Sequence, residues 1–535
     1  MSASIVLNPT WIDNNCDGSG VMPYTICSWT GGTNGAWQPL GTGVSVLGSY
    51  SIPPFTENHI TQFGVFHDYG SGIPHRLRVD MSFCLNCHVD VYFGTALVGV
   101  LSGATGTTYV TGTPTFQNTL SFIIITGVTV LTYNQIEDVY LTTTPQAVMP
   151  VYNPIYFNAD SIRKTNTNYK YVFDLYTGTT INGTYQSRIK LLPRPVDGTA
   201  LYNPSRILES RLSYDKPIQN ITACTASVHH LTTYNVQLGE EYGSILTGST
   251  IYTGLTSFSG YTFNGVQQYT QFPSWNYRDY FCTTGSTPYN FLTYQPRSGV
   301  KVKTASDRGT VTVHSPNLSS FYNLVVHHIT GGTTTYNKAI RLAGIVHLPS
   351  GPYNINQYIS ANTINTDCTS PTGTEYYTIQ VITQSVPDTE LLRYDIDCRS
   401  TCKYGAVRLQ FLNRLGGFDY MNFDLVSRKT VNVERKTYKK TLPYNYVVGD
   451  REKTVLDING NYVTKVTSNW CNDDEAEWME DLLASPEVYI IQDDGVALPV
   501  LVQETSIEIQ KEVNKKMFNY TFNLETSYGI NGQRA

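Results

Sequence analysis

Through residues 1–400, short runs rich in Val, Ile, Tyr, Thr and Phe alternate with clusters of Gly, Asn, Pro and Ser. That rhythm predicts many short antiparallel strands rather than helices. Arg76–Gly94, Ala96–Leu101 and Thr119–Leu141 read as successive strand segments parted by Gly-Thr turns, and Ile136 to Leu141 alternates strictly. Such spacing suits a two-sheet sandwich or jelly roll. Farther on, Tyr169 to Tyr176 alternates, and the prolines 193, 195 and 204 postpone any helix until Ser205, where SRILESRL allows about two turns. The stretches VKVKTA and GTVTVHS read as paired strands of one or two further antiparallel units that reach about residue 395.

The C-terminal grammar is clearer. AVRLQFLNRLGGFDYMNFDLV reads as strand, Gly416-Gly417 turn, strand, and VLDINGNYVTKV as a hairpin turning on Asn459-Gly460. One helix follows. Asn472 and Glu475 form an N-x-x-E cap, Asp473, Asp474 and Glu475 fill the first turn, and Met479, Leu482 and Leu483 share a face until Pro486. VYIIQ and ALPVLVQ about an Asp494-Gly495 turn, then FNYTFNLE, complete the pattern of a compact α+β unit.

Charge sharpens this boundary: residues 401–535 carry 16 basic and 19 acidic side chains, against 20 and 23 in the 400 residues upstream. The expected fold class is mainly β, multidomain and of the β-sandwich or jelly-roll type with a C-terminal α+β domain: a β-sandwich module at 1–145, a β-domain at 146–235, a β-rich domain at 236–395 and an α+β assembly domain at 396–535. Over the whole chain of 535 residues, 15% are charged and the net charge is −6. No overall basic field is available to hold a phosphate backbone, so nucleic acid is not expected as a partner. The start lacks a basic and apolar leader pattern, and no apolar run reaches 18 residues, so neither a signal peptide nor membrane insertion is expected.

Two resemblances follow from these blocks. RLRVDMSF, VDVYFGTALVG, TLSFIIITG and IEDVYLT, within residues 30–145, resemble the strand succession of galactose-binding-like, carbohydrate-binding-module jelly rolls. YNPIYF, YKYVFDLY, GEEYG, NRLGGFDYMNFDL and WMEDLLASPEVYI, in order over residues 148–530, resemble large virion proteins of tailed phages that infect Bacteroidetes-type hosts. The second resemblance implies a non-enzymatic tail, baseplate or adhesin component, made in the host cytoplasm and located in the virion. Its partners would be copies of itself, other virion proteins and a host-surface glycan. A head fibre or decoration protein, or a tail glycosidase, are the alternatives.

A sugar platform needs aromatic faces and polar groups; Trp29, Trp37, His67, Asp68 and Tyr69, in apparent loops or strand ends, are the candidates. Asp13, Asn15, Asp17 and Gly18 reproduce the opening of a calcium loop, but Tyr24 stands where a bidentate Glu belongs. No cofactor is expected, with a structural calcium at this turn as the alternative. Cys84-Leu85-Asn86-Cys87-His88 has the spacing of haem attachment, yet lies in a segment that reads as strand, short turn, strand. A zinc site from Cys84, Cys87, Cys398 and Cys402 would lack a second CxxC, and most of the ten cysteines read as buried thiols. Glu240 and Glu241 are adjacent, so in a strand they face opposite ways and cannot flank one glycosidic bond; an edge or turn feature is the plainer reading. Arg428, Lys429, Arg435, Lys436, Lys439 and Lys440 alternate with Thr and Val, and Asp473, Asp474 and Glu475 are their candidate complement, within one chain or between neighbours. The alternative for the basic run is an edge strand guarded by lysines.

Overall fold

The structure is a computed structural model. It describes residues 139–535 apart from 179–182, 216–222, 245–247, 282–287, 316–317, 361–362, 400–404, 505–518 and 532–535; of residues 1–138 it gives strands and their pairing only. The chain is mainly β, as its pattern predicts, and divides into two compact units built from interleaved segments. One comprises Met1–Thr144, Tyr156–Asn203 and Asn235–Ser259; the other comprises Pro145–Ile155, Pro204–Tyr234 and Gly260–Ala535.

In the first unit the long strands His75–Phe93 and Thr119–Ile136 pair antiparallel at the centre of a nine-stranded sheet. His75–Phe93 also pairs with Ala96–Ser102 and Gly106–Gly112. The expected turn at Cys84–His88 is absent: the segment is one continuous strand, and the irregularity is confined to register shifts between Cys84, His88 and Val89. The long partner strand supplies ladder bonds on both sides of the motif, which keeps the chain extended. Elsewhere in this unit, Phe157, Phe173, Tyr202 and Phe258 form an aromatic cluster with centroids 4.7–6.3 Å apart.

The second unit holds three sheets around one core. A six-stranded sheet runs in the order Val300–Val302, Leu392–Ile396, Thr374–Thr383, Phe321–His328, Thr333–Ala339, with Val386–Pro387 beside Thr374–Thr383. A three-stranded sheet contains Thr225–Ala226, Gly344–Pro349 and Thr310–Ser315. VKVKTA and GTVTVHS therefore belong to different sheets and do not pair with each other. The eight-stranded sheet contains Val407–Leu412, Phe418–Phe423, Val488–Ile491, Ala497–Val502, Thr521–Thr526, Lys453–Thr467 and Val426–Lys439, and Ile530–Asn531 pairs with Lys453–Thr467. Tyr322, Leu324, Val326, Tyr377, Ile379, Val311, Val346, Phe411, Trp478 and Leu482, all buried, make one continuous core.

Among the described residues there are three α-helices: α1 (Ser205–Glu209), α2 (Pro352–Ile359) and α3 (Asp473–Ala484). α1 begins after Pro204, where the prolines stop, but is shorter than two turns. α3 has the predicted capping box: Asn472 Oδ1 accepts from Glu475 N at 2.8 Å, and Glu475 Oε2 accepts from Asn472 N at 3.0 Å. The Gly416-Gly417 and Asp494-Gly495 turns also form, with Gly416 and Gly495 at φ +79° and +88°.

Asn459-Gly460 is not a turn. Both residues lie inside Lys453–Thr467, opposite Glu434 and Val433. Here the 14-residue partner strand overrides the local turn preference, and Gly460 is needed for close approach: a Cβ there would meet Asn432 O at 2.8 Å. The cysteine reading also changes. Cys368 and Cys398 form a disulfide that clips the segment before Thr374–Thr383 to the end of Leu392–Ile396, so Cys398 is not available to a zinc site. Cys224 and Cys471 are free thiols, and burial pushes Cys471 up to about 11.

Candidate functional site

Two kinds of polar structure stand out: carboxylates locked inside the fold, and a charged ribbon outside it. Strongly perturbed acids mark many catalytic sites, and the inner set contains two. Asp419 is 3% exposed, and burial, helped by the nearby Asp481 charge, raises it to about 7. Thr293 Oγ1 lies 2.8 Å from both its oxygens, Asn413 Nδ2 donates at 2.9 Å and Trp478 Nε1 at 2.7 Å. These bonds tie the Thr293 segment, the 413–417 turn and α3 together. Asp481, raised by burial to about 6, pairs with Arg414, whose guanidinium lies over the Tyr294 ring. The arrangement is that of a buried structural hub, with all of Asp419's nearest groups supplied by the fold.

Glu240 and Glu241 sit within the 14-residue strand Leu231–Ser244, both buried, rather than at an edge or turn. They do face different partners. Glu240 takes Arg163 at 2.9 Å with Ser161 and Tyr169, whereas Glu241 takes Lys190 at 2.6 Å and Lys170 at 3.6 Å. A strand's alternation separates them, as the spacing required.

The basic residues Arg428, Lys429, Arg435, Lys436 and Lys439 lie on the edge strand Val426–Lys439, and Lys440 follows it. Among the described residues, this strand pairs with Lys453–Thr467 alone, and the other neighbours of Lys453–Thr467 reach no farther out than Asn459. Beyond that point the two strands and the 440–452 connection form a two-stranded ribbon. At ~3.4 Å per residue its paired part extends about 20 Å. Both faces are exposed. Register puts Lys429, Val431, Val433 and Arg435 on one face with Tyr462 and Ile458, and Arg428, Thr430, Asn432, Glu434 and Lys436 on the other. Tyr444 and Val448 at the tip are fully exposed. Like charges lie directly opposite each other at Arg428 and Lys465 and again at Lys439 and Lys453, an arrangement that destabilises a bare ladder. Lys439 does pair with Glu452 at 2.7 Å, and Lys429 lies over the Tyr462 ring.

On α3, Glu475 is used by the cap and by Lys301 at 3.3 Å. Asp473 and Asp474 are exposed. Among the described residues, no ion pair joins the ribbon's cations to these acids within the chain. Next to them, a cavity of about 40 Å³ is lined by Lys301, Lys303, Asp397, Asp424, Trp470 and Glu475, among others. Lys303 is buried there between Asp424 at 2.6 Å and Asp397 at 3.6 Å. Asp424 Oδ1 is buried without a hydrogen-bond partner, and Trp470 is half exposed.

Of the sugar candidates, Trp29 and Trp37 lie next to the facing ends of strands Ile26–Thr30 and Ala36–Gly41, directly opposite in register. His67, Asp68 and Tyr69, and the calcium candidates Asp13, Asn15 and Asp17, lie outside the described residues. Among the described residues no cluster of three metal-ligating side chains occurs. Sequence reasoning found the ribbon's cations but missed its length, because the Asn-Gly pair read as its end. It also missed Asp419, whose burial had no signature beyond its place after a Gly-Gly turn.

No family model matches the chain, and no curated protein matches it. Among solved structures, a β-glucuronidase of Parabacteroides merdae aligns at 10% identity over 48% of this chain and 36% of its own, with a TM-score of 0.24. The chain thus spans about a third of that enzyme's length. A tetra-tandem repeat from the extending region of a large adhesion protein aligns at 8% identity over 88% of this chain and 95% of its own, with a TM-score of 0.18. Likenesses this distant carry no argument about function.

Proposed function

We propose that this chain is a structural protein of a tailed-phage particle, of the tail or baseplate region, that acts by docking to copies of itself and to other particle proteins. The ribbon is the observation that carries the reading. A two-stranded hairpin with both faces in water is marginal by itself, yet this one presents Val431, Val433, Val455, Leu456, Tyr444 and Val448 together with a net positive charge. Apolar and charged groups held out on one projecting element suit a surface that another protein covers. The placement in a phage rests on the sequence resemblance over residues 148–530. A host-surface glycan remains the proposed ligand of the N-terminal sandwich, with Trp29 and Trp37 as its aromatic pair.

Gold-labelled antibodies raised against residues 401–535 and, separately, 1–145 test the location on intact particles. Tail-end label supports the reading, and the more peripheral epitope identifies the receptor-facing module. Label over the head transfers the protein to the capsid surface. Particles that contain no trace of the chain by mass spectrometry overturn the phage assignment.

A further inference from the structure

The ribbon, residues 426–467, carries nine basic and four acidic side chains, net +5. With a whole-chain charge of −6, the remainder carries −11. Any second copy therefore offers an oppositely charged surface to the ribbon, provided the contact is made away from that copy's own ribbon. Symmetric pairing of two Val426–Lys439 edges would set Arg428, Lys429, Arg435, Lys436 and Lys439 against the same residues, and like charges opposed across a ladder repel. Charge thus disfavours the contact of one ribbon with another and favours a contact of the ribbon with an acidic surface elsewhere on the second copy.

Within the described residues, the start of α3 is one exposed acidic surface, and it lies beside an exposed indole. Asp473 and Asp474 are exposed beside Trp470, and the buried Asp424 Oδ1 in the adjoining cavity lacks a hydrogen-bond donor. Carboxylates with an indole complement a ribbon of Lys, Arg, Val and Tyr, since a cation is attracted to an aromatic face as well as to an acid. Size also fits. The part of the ribbon that pairs with no third strand among the described residues, Glu434–Ile458, is 25 residues, and a stable interface uses about 20–30 residues a side.

We infer that the ribbon is an arm received by a second copy of this chain on the acidic first turn of α3. The inference rests on the assembly reading above and names its partner. Two variants of the full chain test it: one that cannot give the arm, Arg435→Glu with Lys436→Glu and Lys439→Glu, and one that cannot receive it, Asp473→Lys with Asp474→Lys. All substituted side chains are exposed, and unchanged circular-dichroism melting curves establish that both variants fold. Sedimentation velocity is expected to show the unaltered chain associating at 50 mM NaCl, with at least tenfold weaker association at 500 mM, because screening shortens the reach of exposed charges. Each variant alone is expected to be monomeric, and an equimolar mixture to give a one-to-one complex, each copy supplying what the other lacks.

Association of the arm variant equal to that of the unaltered chain would overturn the role of the ribbon. Two monomeric variants that fail to combine would overturn the α3 assignment. A chain that stays monomeric at about 100 μM would overturn the choice of a second copy as partner. In that last case, loss of the arm variant from particles would still leave the assembly reading standing, with another particle protein as the partner.

Discussion

Replacing Asp419 by Asn probes the buried hub, and the effect reverses direction with pH. The unfolded carboxyl titrates near 3.8 and the folded one near 7, mainly because burial penalises the charge. A folded pKa above the unfolded one means stability that is complete below pH 3.8 and is lost as pH rises through 7. At 1.36 kcal/mol per pH unit the full loss is roughly 4 kcal/mol, of which roughly 3 kcal/mol falls between pH 5 and 8.5. The Asn variant keeps the volume and does not titrate. Its amide cannot accept from all the donors now on the carboxylate, so either Asn413 Nδ2 or Trp478 Nε1 loses its acceptor, at about 1–3 kcal/mol. His230, lowered to about 3, and His314 and His347, lowered to about 4, lose their contribution as pH falls below 6.5, but they do so in both proteins and cancel in the difference. Urea titrations at pH 5 and 8.5, followed by circular dichroism, should show the variant less stable at pH 5. At pH 8.5 the gap should have closed or changed sign, a swing of roughly 3 kcal/mol. A gap that stays constant between the two pH values would refute the raised pKa and with it the account of the hub.

Three further outcomes follow from the packing. Arg163→Ala leaves Glu240 charged and buried, with side-chain exposures of 9% and 0% for the pair, and should destabilise by about 3–5 kcal/mol, while the double change Arg163→Met with Glu240→Leu should recover much of that in thermal melts. Cys368→Ser with Cys398→Ser opens a disulfide of sequence separation 30 and should cost about 2–4 kcal/mol; adding reductant to the unaltered protein should reproduce the loss, and equal stability with and without reductant would show that the bridge contributes nothing. Asn472→Ala removes the side-chain half of the α3 capping box and should cost about 1 kcal/mol, with Asn472→Asp close to neutral in the same denaturation assay.

What the sequence disclosed was decided by how local the governing interaction is. The α3 cap needs only Asn472 and Glu475, three residues apart, and the Gly416 and Gly495 turns need only a residue tolerant of positive φ. Alternating stretches such as Tyr169–Tyr176 also resolve as strands, with Tyr171, Phe173 and Leu175 buried. Asn459-Gly460 has the same local grammar as a hairpin turn, but Asn432 to Glu434, some 27 residues away, hold it in a ladder. Cys84–His88 likewise stays within one strand, because Thr119–Ile136 pairs with the chain on either side of it, although Leu85 to Cys87 fall in a register shift. The Cys368 and Cys398 pairing and the burial of Asp419 beneath Trp478 likewise join segments distant in sequence, and neither spacing nor composition encodes such a meeting. The ribbon's charge was legible residue by residue, whereas its place at the edge of the sheet was visible only in the strand order.

The central claim is that the ribbon works by being covered. Hydrogen exchange of the amides in 426–467, compared between the isolated chain at low concentration and the assembled particle, tests it most directly. The account predicts fast exchange in the distal amides of Glu434–Ile458 when the chain is alone and strong protection of those same amides in the particle, with the Val407–Leu412 and Phe418–Phe423 strands equally protected in both. Distal amides that exchange equally fast in the particle would contradict it.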